Sequence, residues 1–386
     1  MNVLQLISSS LGYYGAERVV VTLSAALQDM GVNTVVGAFQ NSAKTSHLEV
    51  LDQAKLYGLK TERILCHGRF DRNALRAIRG IVEQHNIDVI HCHGIKPNLY
   101  GILASRGNKV ALVSTCHSWI FESKKDWVVS AVERCFLRSS DRVVAVSDHL
   151  IPPLRRFGVR ADVIANGIDL QPFYNQSSDF REKMKWSGRP VIGAIGRLCP
   201  GKGLQYLLRA APEVLRENPR ALFVLVGDGP ELQTLEAEAK SLGIQDSVCF
   251  LGVRQDIPEL LSSMDVLAMP SLYEALPMAL LEAMAAGKAV VASSVGTIPR
   301  VIQERVNGLL LSPGDVKGLA TALCDLLKNP EFRMLLGQNA RQTVESRFSS
   351  ASMAKRYAEV YAGVTSSRVF ATNSSTASTL AFRNRR

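Results

Sequence analysis

Apolar runs of strand length alternate with helical patterns along almost the whole chain. Val3–Ile7, Thr34–Phe39, Asp88–His91, Ala111–Thr115 and Arg142–Val146 read as strands, short and bounded by polar turns. Between them, residues 16–30, 72–85 and 126–138 space their apolar side chains as helices with one buried face do. Near Ile164-Ala165-Asn166-Gly167-Ile168-Asp169 the alternation stops, and about 20 polar residues follow, centred on Asn175-Gln176-Ser177-Ser178. It then restarts. Val191–Ile195, Leu222–Val226, Val248–Leu251, Val266–Met269, Ala289–Ala292 and Gly308–Leu310 read as strands. Helices are expected at 203–216, 230–242, 256–263, 277–286, 316–328 and 331–345, with a last one over Met353–Val364.

A βαβα order packs as a parallel, doubly wound sheet covered by helices on both faces. At 386 residues the chain is long enough for two such cores. The expected organisation is a Rossmann-like domain at 1–170, a second at 171–349, a crossover helix at 350–364 packing back on the first, and a basic tail without fixed structure at 365–386. Two such domains facing each other would enclose a central cleft lined by strand C-terminal ends, where these sheets place ligands.

Charge and composition narrow the classes. The net charge is +10, and the last 21 residues contribute four arginines and no acid. Arg72, Arg76 and Arg79 share one helix face, with Lys124, Lys125, Arg134 and Arg138 expected on a nearby connection. Such cations suit anionic lipid head groups or an anionic acceptor, or are simply a solvated face. The absence of interleaved aromatics argues against nucleic acid. No apolar run reaches membrane-spanning length, and Met1-Asn2-Val3-Leu4-Gln5 is not a secretory leader. The seven scattered cysteines, without a CxxC pair, suit free thiols in a reducing compartment. The expected location is the cytoplasm, with peripheral contact at the cytoplasmic face of a membrane.

Two segments carry the chemistry. In Val191-Ile192-Gly193-Ala194-Ile195-Gly196-Arg197-Leu198-Cys199-Pro200-Gly201-Lys202-Gly203 a buried strand enters a glycine-rich turn with two cations, then a helix. Backbone N–H groups, the helix dipole and the charges of Arg197 and Lys202 favour an anion there, a diphosphate above all. The segment also meets most of a Walker A pattern, but Gly203 stands where a Ser or Thr would hold magnesium. The second segment, Met269 to Gly287, has Glu274 at a loop and Glu282 inside an Ala/Leu/Met-rich helix, seven residues between them. A carboxylate in such apolar company is costly unless it binds something. Both glutamates could face a ligand's hydroxyl groups.

All seven histidines lie in the first 149 residues. His91-Cys92-His93, with His117, could ligate zinc. Without an accompanying carboxylate cluster or Asp-x-Asp, the favoured reading is that they line the cleft and hydrogen-bond acceptor or loop groups.

Together, Gly196-Arg197 to Lys202-Gly203, the turn Val226-Gly227-Asp228-Gly229-Pro230 and Glu274 with Glu282 resemble the retaining glycosyltransferases of family 4, which have the two-domain GT-B architecture. Tyr14-Gly15-Ala16-Glu17, Thr115-Cys116-His117, Val146-Ser147 and Asn166-Gly167-Ile168-Asp169 extend the resemblance over residues 3 to about 363. It implies that Arg197 and Lys202 hold a donor diphosphate, that Glu282 binds the ribose, and that Glu274 with the backbone of Ala275, Leu276, Pro277 and Met278 contacts the sugar. It further implies that Gly15 reaches the phosphates, that His117 lies by the sugar, and that Gly252, Val253 and Arg254 border the base.

The implied activity is retaining hexosyl transfer from a nucleotide sugar, UDP-linked before GDP-linked, to a glycan or lipid-linked acceptor in envelope polysaccharide synthesis. No metal or other cofactor is required in this scheme. Tyr14 in place of a glycine, Ser118 after His117, and Thr297 and Arg300 in Gly296-Thr297-Ile298-Pro299-Arg300 depart from the family pattern. A sugar-nucleotide 2-epimerase of the same fold, a P-loop NTPase and a non-catalytic binding protein are the alternatives.

Overall fold

The computed structural model describes residues 1–8, 15–40, 48–68, 70–107, 109–117, 132, 134–174 and 180–383, with side chains to Ser367. The chain divides into two compact units, one of Met1–Gly167 with Ser350–Arg386 and one of Ile168–Ser349.

The first unit is built on seven strands: β1 Asn2–Ser8, β2 Asn33–Gln40, β3 Lys60–Leu65, β4 Val89–His93, β5 Ala111–Cys116, β6 Arg142–Ala145 and β7 Asp162–Val163. They pair in parallel in the order β3-β2-β1-β4-β5-β6-β7. The central strand β1 is apolar on both faces because both are covered, as parallel sheets require. Leu4 and Leu6 pack with Ile78, Ile90 and Tyr100 on one side. Ile7 packs with Val20, Val36 and Leu51 on the other.

Helices α1 Gly15–Asp29, α2 Glu49–Leu56, α3 Arg72–Gln84 and α4 Ile95–Ser105 supply these layers. The last helix, Ser350–Arg383, returns to this unit, packs on α1 and β5, and buries Tyr357 and Tyr361. It continues past residue 364, where the sequence reading ends the crossover helix and starts a tail. No proline or glycine follows Gly363 to stop it.

The second unit carries β8 Val191–Ile195, β9 Leu222–Val226, β10 Val248–Phe250, β11 Val266–Met269, β12 Ala289–Ser293 and β13 Leu309–Leu311. These too are parallel, in the order β10-β9-β8-β11-β12-β13. Helices Leu204–Glu217 and Val316–Lys328 bury Leu207, Leu208, Leu319 and Leu323 against Phe223, Leu225 and Val291.

Several elements of the first unit escape the hydrophobic pattern, β3, β7 and α4 among them. Strand β3 (Lys-Thr-Glu-Arg-Ile-Leu) forms a sheet edge and buries only Ile64, so polar residues fill its remaining positions. Strand β7, at the other edge, has two residues. Helix α4 carries Pro97 in its first turn, where proline is tolerated. It also carries Gly101, at which a Cβ would lie 2.4 Å from Cys92 Sγ, so the helix approaches the sheet only because that side chain is absent.

The expected cationic connection is partly overturned. Arg134 is 4% exposed, its guanidinium 3.3 Å above the ring centroid of Phe157, so it belongs to the interior. Arg138 is exposed, while Lys124, Lys125 and most of the helix expected at 126–138 lie outside the described residues. Arg72, Arg76 and Arg79 are exposed on α3 as the spacing predicts. No described helix is long and apolar enough to cross a membrane.

Candidate active site

In the second unit the strand order reverses between β8 and β11, whose C-terminal ends diverge into separate loops. Ligands of doubly wound sheets bind at such a switch point. The loop after β8 is tied down by its own backbone. Gly196 N–H donates to Val226 O at 2.9 Å and Leu198 N–H to Asp228 O at 3.0 Å. A single 3₁₀ turn, Pro200–Lys202, then delivers the chain to Gly203 and the helix Leu204–Glu217.

Gly203 is left-handed at φ 62°, and a Cβ there would lie 2.1 Å from Pro270 O. A Ser or Thr hydroxyl, which a Walker A loop needs at this position, has no room, and the P-loop reading fails on that steric ground. The loop after β11 closes against this turn, with Leu272 N–H donating to Gly201 O at 2.8 Å.

The two loops bring three of the singled-out residues together. Arg197, Lys202 and Glu274 line one small pocket with Gly196, Pro270 and Ser271. Lys202 Nζ donates to Glu274 Oε1 at 2.5 Å, and Ser271 Oγ donates to the same oxygen at 2.9 Å. The Glu274 side chain is only 8% exposed, so these donors stand where water would otherwise solvate it. Arg197 is exposed at the mouth of the turn. One carboxylate flanked by two cations at a strand-end crevice can take a ligand that pairs hydroxyl groups with an anion.

The backbone after Glu274 is also held. Thr297 donates both its N–H and its hydroxyl to Ala275 O. Gly296, at φ 56°, passes so near that a Cβ would lie 1.7 Å from Glu274 O. Leu276, Pro277 and Met278 are buried, and Pro277, in extended geometry, opens the helix Met278–Ala285. Leu280 N–H, in that first turn, donates back to Pro277 O at 3.2 Å. Glu282, 5% exposed, sits one turn further along.

Gly252 O accepts from Gly227 N–H at 2.8 Å, which joins the loop after β10 to the turn after β9. Val253 is 49% exposed, while Arg254 turns inward on its own loop, Nε and Nη2 reaching the Asp256 carboxylate at 2.8 and 2.5 Å. The pairing raises the guanidinium's pKa and holds the Asp256 carboxyl below its usual range.

Gly15 and His117 belong to the first unit. Gly15 opens α1; Tyr14 lies outside the described residues, as does Ser118. His117 follows the end of β5, partly exposed, with Nε2 2.8 Å from Nδ1 of the buried His93. Burial pushes the His117 imidazole down to about 4, and holds His91 and His93 well below the usual histidine range. His91 and His93 are therefore interior groups that do not line an open surface, and no group of potential metal ligands occurs among the described residues.

Residues that sequence reasoning missed are Ser271, Asp256 and Gln5. Gln5 alone left a signal, a polar residue in the run Val3-Leu4-Gln5-Leu6-Ile7.

Comparison with known proteins gives the family. Residues 176–343 match the family described as Glycosyl transferases group 1, and residues 13–172 match Glycosyltransferase Family 4. An N-acetyl-alpha-D-glucosaminyl L-malate synthase of Bacillus anthracis is 30% identical over 292 residues, covering 73% of this chain and 76% of that protein. A UDP-Gal:alpha-D-GlcNAc-diphosphoundecaprenol alpha-1,3-galactosyltransferase of Escherichia coli is 26% identical, covering 75% of this chain and 79% of that protein. Among solved structures, Anabaena HepE in complex with UDP and glucose superposes with a TM-score of 0.81 at 24% identity, covering 94% of this chain and 100% of that one. The chain, with its two Rossmann-like sheets and its paired loops at a switch point, therefore belongs to the group 1 glycosyltransferases of family 4 and has the GT-B fold.

Proposed function

We propose that this enzyme transfers a hexosyl unit from a UDP-sugar to a hydroxyl group of a glycan or lipid-linked acceptor, with retention of anomeric configuration. The observation that carries the reading is the convergence of Arg197, Lys202 and Glu274 on one pocket at the strand-order reversal. Arg197 and Lys202 bind the donor diphosphate, and Gly15, at the start of α1, also reaches the phosphates. Glu274 directs its second carboxylate oxygen to a sugar hydroxyl, beside the backbone of Ala275, Leu276, Pro277 and Met278. Glu282 binds the ribose, Gly252, Val253 and Arg254 border the base, and His117 contacts the sugar.

In the reaction the bond between the anomeric carbon and the diphosphate oxygen breaks, and a bond to the acceptor oxygen forms on the same face. The acceptor's proton passes to the departing diphosphate. No side-chain base is needed, and the protein's contribution is fixed positive charge where the leaving group develops negative charge. Two cations at the diphosphate replace a divalent metal in this scheme.

The relatives support UDP first and GDP second: the Escherichia coli relative uses UDP-Gal, and a Mycolicibacterium smegmatis relative, 29% identical, is GDP-mannose-dependent. The same two names carry a diphosphoundecaprenol and a phosphatidylinositol acceptor, which favours a lipid-linked acceptor here. Exposed Arg72, Arg76 and Arg79 would then hold the enzyme against an anionic cytoplasmic leaflet. Thermal shift across UDP-, GDP- and ADP-sugars tests the donor, since a bound ligand raises apparent stability by mass action. No shift with any UDP-sugar would overturn the donor assignment.

A further inference from the structure

Six hydrogen bonds join seven side chains of the first unit into one chain. His117 Nε2 meets His93 Nδ1 at 2.8 Å, and His93 Nε2 meets Gln5 Oε1 at 2.8 Å. Gln5 Nε2 donates to the Tyr361 hydroxyl at 3.2 Å, and that hydroxyl meets His91 Nδ1 at 2.7 Å. His91 Nε2 meets Thr115 Oγ1 at 2.7 Å, and Thr115 Oγ1 meets the Tyr357 hydroxyl at 3.0 Å. Apart from His117, these side chains are all under 5% exposed, so no water competes for the bonds.

The directions follow from the chemistry of one atom. The amide oxygen of Gln5 has no proton, so His93 must donate from Nε2. His93 is buried and neutral, with a single proton, which leaves a lone pair on Nδ1. His117 must then donate to it from Nε2. The other branch agrees: Gln5 donates to Tyr361, whose own proton goes to His91 Nδ1, and His91 Nε2 donates to Thr115. Each donor meets an acceptor along this path. A flipped Gln5 amide would set an NH₂ donor against His93 Nε2 and reverse the whole sequence.

We propose that Gln5 and His93 are positioning residues that hold His117 with its proton on Nε2, so that its partly exposed Nδ1 accepts a hydrogen bond from a hydroxyl of the bound sugar. The identity of that ligand rests on the glycosyltransferase reading, whereas the proton's position does not. Tyr361, from the last helix, accepts from the Gln5 amide and so ties the arrangement to the far end of the sequence. The imidazole is thereby an acceptor built in advance of binding, an electrostatic feature that needs no rearrangement during reaction.

Nitrogen-15 spectra of the full-length, histidine-labelled protein read the proton directly. Between pH 6 and 8 the wild type should show His117 protonated at Nε2 and bare at Nδ1. Gln5→Leu should release the constraint, giving a mixture of the two tautomers and about tenfold lower turnover, the scale of one lost hydrogen bond. Gln5→Glu keeps an acceptor for His93 and should restore both the tautomer and most of the turnover. A wild-type His117 carrying its proton on Nδ1, or a folded Gln5→Leu with unchanged tautomer and turnover, would overturn the proposal. Should Gln5→Leu not fold, the wild-type and Gln5→Glu spectra still decide. Correct tautomers in a protein inert toward every nucleotide sugar would leave the positioning intact and reject the function.

Discussion

The ammonium of Lys202 lies 2.5 Å from the carboxylate of Glu274, a residue 72 positions later in the sequence. The cation proposed for the diphosphate and the acid proposed for the sugar are thus directly paired. Each orients the other, and Ser271 steadies the shared oxygen. A ligand that brings a diphosphate to Lys202 brings its sugar to the remaining Glu274 oxygen.

Removing either cation should act on chemistry more than on folding. Lys202 is partly exposed, and Arg197 is exposed. Lys202→Ala and Arg197→Ala should each lower kcat by roughly 10²–10³-fold, the cost of one electrostatic donor at a developing charge. Lys202→Ala also leaves Glu274 without its counterion, so it should lower Tm more than Arg197→Ala does. Near-wild-type turnover in either variant rejects the diphosphate assignment.

The two glutamates should separate by ligand. Glu282→Gln should weaken binding of free UDP, since the ribose is present in it. Glu274→Gln should leave UDP binding nearly intact and impair use of the UDP-sugar. Titration calorimetry with UDP and with the intact donor measures both, and equal loss of UDP affinity in the two variants contradicts the division.

Turnover should survive excess chelator. Arg197 and Lys202 supply the positive charge that a divalent ion would otherwise provide. Loss of activity in EDTA, recovered on adding manganese or magnesium, would sink the metal-independent scheme.

Acid should destabilise the fold earlier than carboxylate titration alone would cause. His91, His93 and His117 are held below the usual histidine value in the folded state, His117 at about 4. Unfolding therefore takes up protons below pH about 6.5, and stability, full above that value, falls as pH drops toward 4. Each histidine contributes up to about 1.4 kcal/mol per pH unit. Urea melts at pH 7.5, 6.0 and 5.0 should show the fall, and His117→Asn should make it shallower. A flat profile over this range contradicts the burial of these rings as neutral groups.

Much of this fold was legible because parallel sheets write themselves as apolar runs. Val3–Ile7 and Leu222–Val226 are buried on both faces, and their residues say so. Lys60–Leu65 was illegible because an edge strand buries one side chain and is otherwise free to be polar. Arg134 misled for the opposite reason: its charge suggested a surface, but the ring of Phe157 gives the guanidinium an apolar face to lie on. In the site, Arg197, Lys202 and Glu274 stood out by residue type and spacing, whereas the Lys202–Glu274 contact depends on β8 and β11 being neighbours in space. Gln5 announced itself as polar among apolar neighbours, but its partners lie 88 and 356 residues away, beyond the reach of any local pattern.

The return of the last helix has a consequence for biogenesis. Residues 168–349 form a contiguous unit that has everything it needs once its own stretch leaves the ribosome. The first unit starts earlier but waits for Tyr357 and Tyr361, which are made only after the whole second unit. Until they arrive, Gln5, His91 and Thr115 each lack one of their interior hydrogen-bond partners, and α1 lacks its covering helix. Vectorial synthesis ordinarily favours the N-terminal domain; here the first unit, begun first, cannot close its core until the second has been synthesised.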